Sequence, residues 1–225
     1  MVHDTKAIIL DTAEALFARQ GFAATSLRAI TAKAGANLAS VNYHFGSKEA
    51  LIEAVFERRI IPMNQERVDR LNQLQKRYGA GVIPLEFLIE AYVGPALDLA
   101  RETQKGGALF IKLLGRSYTE PNAALQNAIR KLYTPITEQF REAFSNALPE
   151  LPREELYWRM HFMVGLMAYL MAGTDIMSLI ASCRVCDPLD TRTMIKRVGA
   201  FITAGMRSPP PDAGEAPSAS VWRET

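Results

Sequence analysis

Two glycines, Gly35 and Gly46, bracket the stretch "GANLASVNYHFGSKEAL" and leave room between them for only a short helix. Val41 and Phe45 are spaced to share one face of that helix and can dock it on a core. Asn37, Ser40, Asn42, Tyr43 and His44 are left for an outside surface. Upstream, Thr25 or Ser26 can cap a helix carrying Leu27, Ile30 and Ala34, and Gly35 permits the tight turn that follows it. Asn37 can cap the next helix. Two short helices joined by a glycine turn, the second polar outside, describe a helix-turn-helix. The second helix of such a unit can enter a DNA major groove.

Whole-chain charge does not announce such a role, because 26 Lys and Arg against 24 Asp and Glu leave a net +2. Charge distribution carries the argument instead. From Thr25 to Lys48 the charged residues are Arg28, Lys33 and Lys48, all basic, and acids resume at Glu49 and Glu53. Ser47 can cap a fourth helix. Lys48 then sits at its start, where the macrodipole disfavours a cation unless an external anion is bound. Free backbone N–H groups and Lys48 together suit a phosphate. A helical adaptor without DNA binding, the remote alternative, would have no use for Tyr43, His44 and Lys48 clustered beside a glycine turn.

Helical periodicity dominates the rest of the chain. Ile9, Ala13, Leu16 and Phe17 share a face, and Gly21 closes that first helix. Leu51, Ala54 and Val55 form the buried face of the fourth, which Pro62 is expected to end or bend. Later helices are expected over about 85–102, 122–146 with a kink at Pro135, 153–182 and 190–206. No strand pattern appears. The expected fold class is therefore all-α: a three-helix helix-turn-helix domain over 1–47, a helical domain over 48–207 joined to it by helix 48–61, and a Pro/Ala/Ser-rich disordered tail over 208–225.

No uncharged apolar run reaches membrane-spanning length, and the N-terminus lacks the pattern of a secretory signal. With two cysteines the chain is no disulfide scaffold, so a cytoplasmic location is expected. Cys183 and Cys186 form a CxxC with no second ligand pair to complete a zinc site. The sequence contains no Gly-rich phosphate loop, HExxH or GxSxG. No catalytic residue, metal site or cofactor is expected.

The stretch "ILDTAEALFARQGFAATSLRAITAKAGANLASVNYHFGSKEALIEAVFERR" resembles the N-terminal DNA-binding domain of the TetR/AcrR family of transcription regulators. "LFARQGF", "TSLRAITAKAG" and "NYHFGSKEAL", with their mutual spacing, carry the resemblance. The remainder is similar in layout to that family's ligand-binding and dimerisation domain. The resemblance implies phosphate contacts from Thr25, Tyr43, His44 and Lys48, with Ser26 at the same helix start as Thr25. It implies a base contact from Arg28 and a base-facing set of Asn37, Leu38, Ala39, Ser40 and Asn42. Leu38 and Ala39 are apolar where some members carry polar readers, which suits thymine methyl contacts and shape readout.

On the helix expected from 153, Met160, Met163, Met167 and Met171 make one stripe, and Trp158, Phe162, Gly165 and Tyr169 make another. A helix apolar nearly all round is buried on several sides. It is expected to face its own domain on one side and a partner subunit on the other, the last two long helices pairing with their mates as a four-helix bundle. A homodimer on a palindromic double-stranded DNA operator follows, because one recognition helix covers only a few base pairs. Phe87, Leu88, Tyr92, Phe110, Leu113, Leu114, Phe140, Phe144, Met163 and Met167 can line a site for a long hydrophobic small-molecule effector. Arg116, Arg159 or His161 could meet its polar head. "WRMHFMVG" and "FITAGMR" resemble members that respond to fatty acids or acyl-CoA, an aromatic or drug-like effector being the alternative. The family tendency implies a repressor.

Overall fold

The computed structural model describes residues 4–102, 106–118, 123–171 and 191–211, and among them every regular element is an α-helix. Helix α1 (Thr5–Gln20) starts at Asp4, whose carboxylate accepts the Lys6 and Ala7 N–H groups, and ends at Gly21 with φ 86°. Its inner face, led by Ile9, Ala13 and Phe17, is fully buried. Helices α2 (Leu27–Ala34) and α3 (Leu38–His44) pack across it and against each other, each anchored by one fully buried residue, Ile30 and Val41.

Helix α4 (Lys48–Tyr78) is the longest element. Pro62 does not end it, contrary to expectation. Proline removes one N–H from the helix ladder, a local cost of about 3 kcal/mol. Here α4 packs along its length against α1, α5 and α7, and Pro62 itself lies on the exposed side, so tertiary packing overrides the local penalty. The linking helix therefore extends well beyond residue 61. It is followed by α5 (Leu85–Arg101), α6 (Gly107–Ser117), α7 (Ala123–Ala147), α8 (Arg153–Met171) and α9 (Thr191–Arg207). The expected continuation of α8 to 182, Cys183, Cys186 and the tail from 212 onward lie outside the described residues.

The core runs without interruption from the first three helices into the rest. Phe17 meets Phe22 at 5.4 Å, Phe22 meets Phe56 at 6.0 Å, and Phe56 meets Phe110 on α6 at 5.6 Å between ring centroids. Above this aromatic row, Glu14 on α1 is buried and pairs with Arg58 at 2.7 Å and Arg59 at 2.9 Å on α4. Burial alone would push the Arg59 guanidinium toward neutrality, but the hydrogen bond to Glu14 outweighs it and raises its pKa. Helix α1 is thus held to α4 by both apolar and charged contacts.

Candidate nucleic-acid interface and effector cavity

The turn between α2 and α3 follows from three residues. Gly35 takes a left-handed φ of 63°, and its N–H closes α2 on the Thr31 carbonyl. Asn37 caps α3, its Oδ1 accepting the Ser40 N–H at 2.7 Å and the Ser40 hydroxyl at 2.9 Å. Val41 fills the core beneath. What remains outward is Asn37, Leu38, Ala39 and Asn42, with Ser40 half-buried. Tyr43 is 86% exposed, an unusual position for an aromatic ring with no intramolecular role beyond an edge contact to the half-buried His44 at 5.1 Å. Arg28 is exposed on α2, and Ser26 is spent in part as its cap, accepting the Ala29 N–H at 3.1 Å.

Two residues of the expected set are placed differently from their sequence reading. Thr25 is fully buried and its hydroxyl donates to the Gly21 carbonyl at 2.8 Å, so it ties the turn before α2 and does not present an oxygen outward. Lys48 reaches back to donate to the Phe22 carbonyl at 2.6 Å. A lysine ammonium has three donors, so this tie fixes its position and leaves two for an external acceptor. Ser47 caps α4 through the Ala50 N–H at 3.1 Å, which sets Lys48 at the first position of that helix.

Of the expected effector-lining residues, Leu88, Phe110, Leu113, Leu114, Phe140, Phe144, Tyr92, Met163 and Met167 are buried. Tyr92, Leu114 and Met167 border a small, partly open cavity of about 20 Å³ shared with Arg67, Val93, Ala96, Tyr118, Tyr133, Val164 and Met171. Phe87 is 39% exposed on the outer face of α5, because Leu88 takes the inward position next to it. None of the three expected head-group partners faces this cavity. Arg116 donates to the Ala18 carbonyl on α1 at 3.2 Å, Arg159 is tied to Glu155 and to the carbonyls of Met206 and Ser208, and His161 is exposed. A wider cleft of about 830 Å³ between α5 and α9 is rimmed by ion pairs, Arg70–Asp98 and Arg207–Glu86, and none of the expected residues lines it.

Sequence reasoning missed Arg67. It is 4% exposed, sits over the rings of Tyr92 at 4.7 Å and Tyr133 at 5.4 Å, and donates to the Tyr92 carbonyl at 2.7 Å and to Asn64 at 2.8 Å. The signal was available in the spacing. Ile60, Met63, Arg67 and Leu71 are the buried positions of that stretch of α4, and a cation stands where the pattern asks for an apolar residue. Tyr118 also borders the cavity. The residue as a whole is 38% exposed, but its hydroxyl lies inward beside Tyr133, and burial pushes its pKa well above that of a free phenol. Burial raises Tyr92 as well.

A third surface is apolar and uncovered. Trp158, Phe162 and Tyr169 on α8 are 53%, 61% and 41% exposed, and Phe201 on α9 is 71% exposed. Trp158 and Phe162 stack on each other at 5.9 Å. Gly165 lies between them and Tyr169 with open space where a side chain would be. Large exposed aromatics grouped on neighbouring helices mark a contact surface.

Among the described residues no group of acidic, histidine or cysteine side chains could hold a metal ion, and no helix is long and apolar enough to cross a membrane. No curated protein sequence matches the chain. Solved structures do. The fatty acid degradation regulator FadR from Bacillus halodurans superposes with a TM-score of 0.64 at 15% identity, covering 93% of this chain and 100% of that one. The ketosteroid transcriptional regulator KstR2 of Mycobacterium tuberculosis gives 0.61 at 17% identity, with 91% and 96% covered. A TetR-family regulator from Bordetella parapertussis gives 0.59 at 17%, with 89% and 94% covered. At such identities these likenesses show the fold. The family models go further: the one described as bacterial regulatory proteins, tetR family, matches residues 9–55, and the one described as tetracyclin repressor-like, C-terminal domain, matches residues 90–205. With its DNA-reading unit and more than half of its length matched in this way, the chain belongs to the TetR family of DNA-binding transcription regulators and is not an enzyme.

Proposed function

We propose that the chain acts as a dimeric repressor that leaves a palindromic operator when a hydrophobic small molecule enters its helical domain. The observation that carries this reading is the pairing of two uncovered surfaces: the outward set on α3 with Tyr43 at its end, and the aromatic face of α8 and α9. A single α3 reads only a few base pairs, and the aromatic face supplies the means to pair two of them. The division into a reading domain over 1–47, an effector and dimer domain over 48–207 and a tail belongs to the same proposal, as does a cytoplasmic place of work. Release would run through α6. Leu114 borders the cavity, while Phe110 and Arg116 on the same helix touch Phe56 and the α1 carbonyl of Ala18. An effector that moves α6 therefore shifts α1 and α4, and with them the spacing of the two recognition helices.

The DNA roles separate by experiment. Lys48→Ala is expected to weaken every duplex by a similar factor and to lower the salt slope of binding by about one unit. Changes at Ser40 or Asn42 are expected to alter preference among sequences, with little effect on the slope. Salt titrations on two unrelated duplexes check both; an unchanged slope for Lys48→Ala removes it from the phosphate contacts. For the operator, sequencing of DNA fragments retained by the purified protein should return an inverted repeat with half-sites about one helical turn apart or more. Long-chain fatty acids and their CoA thioesters are the effectors this reading favours. Release of the operator complex by an unrelated small aromatic, and by neither of these, would transfer the role to an aromatic or drug-like molecule.

A further inference from the structure

We infer that Arg67 is the anion-recognition residue of the effector site, and that the effector it selects is a free monocarboxylate with an apolar body. This deepens the ligand-responsive reading above and rests on it. The other buried arginine among the described residues, Arg159, has an acid partner, Glu155 at 3.0 Å, and the half-buried Arg58 and Arg59 share Glu14. Arg67 has none. Among the described residues its partners are a backbone carbonyl and the Asn64 amide oxygen, both neutral. Taking a guanidinium out of water without a counter-charge is costly, and two aromatic faces offset only part of that cost. A protein keeps such a group where the missing anion arrives from outside.

The surroundings define that anion. Arg67 forms the polar end of the cavity; Val93, Ala96, Leu114 and Val164 form apolar walls. Tyr118 and Tyr133 line the same cavity and share a hydrogen bond between their side chains, which leaves the pair one hydroxyl proton to donate beside the cation. One guanidinium edge and a phenol match the two oxygens of a single carboxylate. A phosphate dianion would bring a second charge that nothing on these walls compensates. An acyl-CoA offers only a neutral thioester carbonyl at this position, and its charged nucleotide cannot be desolvated among these walls, so the free acid is preferred over its thioester. At about 20 Å³ the cavity is smaller than any such ligand. Entry therefore requires Met167, Met171 and Leu114 to shift, which flexible methionines allow, and the resulting push falls on α6.

The test uses the full chain without DNA, titrated calorimetrically with matched probes: dodecanoate, dodecan-1-ol and dodecanoyl-CoA, then 4-phenylbutyrate and 4-phenylbutan-1-ol. At least one acid should bind about 10–100-fold more tightly than its alcohol, the range expected for a charge-assisted pair. Dodecanoyl-CoA should not surpass dodecanoate. Arg67→Met should erase the preference for the acid and melt no lower than the parent, since it removes an unmatched buried charge; Arg67→Lys should keep part of the preference. If Arg67→Met does not fold, the acid-to-alcohol ratio of the unmodified chain and of Arg67→Lys decides. Equal binding of acid and alcohol, a preference that survives in Arg67→Met, or no binding of either acid at about 1 mM overturns the inference. Failure of the full chain to bind any duplex would instead defeat the regulator reading alone, because these titrations contain no DNA.

Discussion

Phe162→Glu should leave the protein monomeric at about 10 μM and reduce its operator affinity by at least about 100-fold. Phe162 is 61% exposed and stacks on Trp158 within the uncovered aromatic face. Its removal takes nothing from the monomer's core, and a charged residue there is well solvated in the monomer. In a two-fold interface each substitution counts twice. At about 2 kcal/mol per buried aromatic anchor the dimer loses about 4 kcal/mol, a factor of about a thousand in its dissociation constant. Affinity for DNA falls with it, because each monomer then binds one half-site alone. Sedimentation velocity and a fluorescence titration on one operator fragment check both parts. A variant that remains dimeric with unchanged melting moves the interface away from α8.

The parts legible in the sequence are those fixed by neighbours in the chain. Gly35, the Asn37 cap and the Val41 anchor determine a turn and a short helix within about ten residues, and the structure builds both as their residue types dictate. The contrast with Thr25 is instructive. Its position before α2 suited either a cap or an outward contact, and Ser26 takes the cap while the Thr25 hydroxyl turns in to Gly21, a choice set by packing on α1. Pro62 shows the same limit: the penalty is local, but its outcome was decided by α5 and α7, far along the chain. Neighbours on one helix can also have opposite fates. Phe87 and Leu88 both read as lining, yet only one can face inward. Head-group partners were the least legible. Arg116, Arg159 and His161 were attractive for lying on helices rich in apolar residues, whereas the cation at the cavity is on α4, visible only as an interruption of a buried stripe.

Phe56→Ala should lower the stability of the whole chain by about 3–5 kcal/mol, seen as one transition displaced by roughly 6–20 °C. Phe56 is fully buried and touches Phe22 on one side and Phe110 on the other, so its ring joins the helix-turn-helix unit to α6. The Glu14 ion pairs with Arg58 and Arg59 hold α1 to α4, the helix that carries Phe56. A cavity at this point loosens α1 from α4 and α4 from α6 at once. That arrangement also determines how a signal can travel. Were the two units independent, an effector could reshape the helical domain without moving α3. With the core continuous through Phe56, a displacement of α6 must be shared by α1 and α4 or resisted by them. Calorimetry at one fixed protein concentration checks the claim, concentration being held because dimerisation itself shifts melting. Two separate transitions, of which only the first responds to the substitution, would show that the units melt apart and that the aromatic row does not couple them.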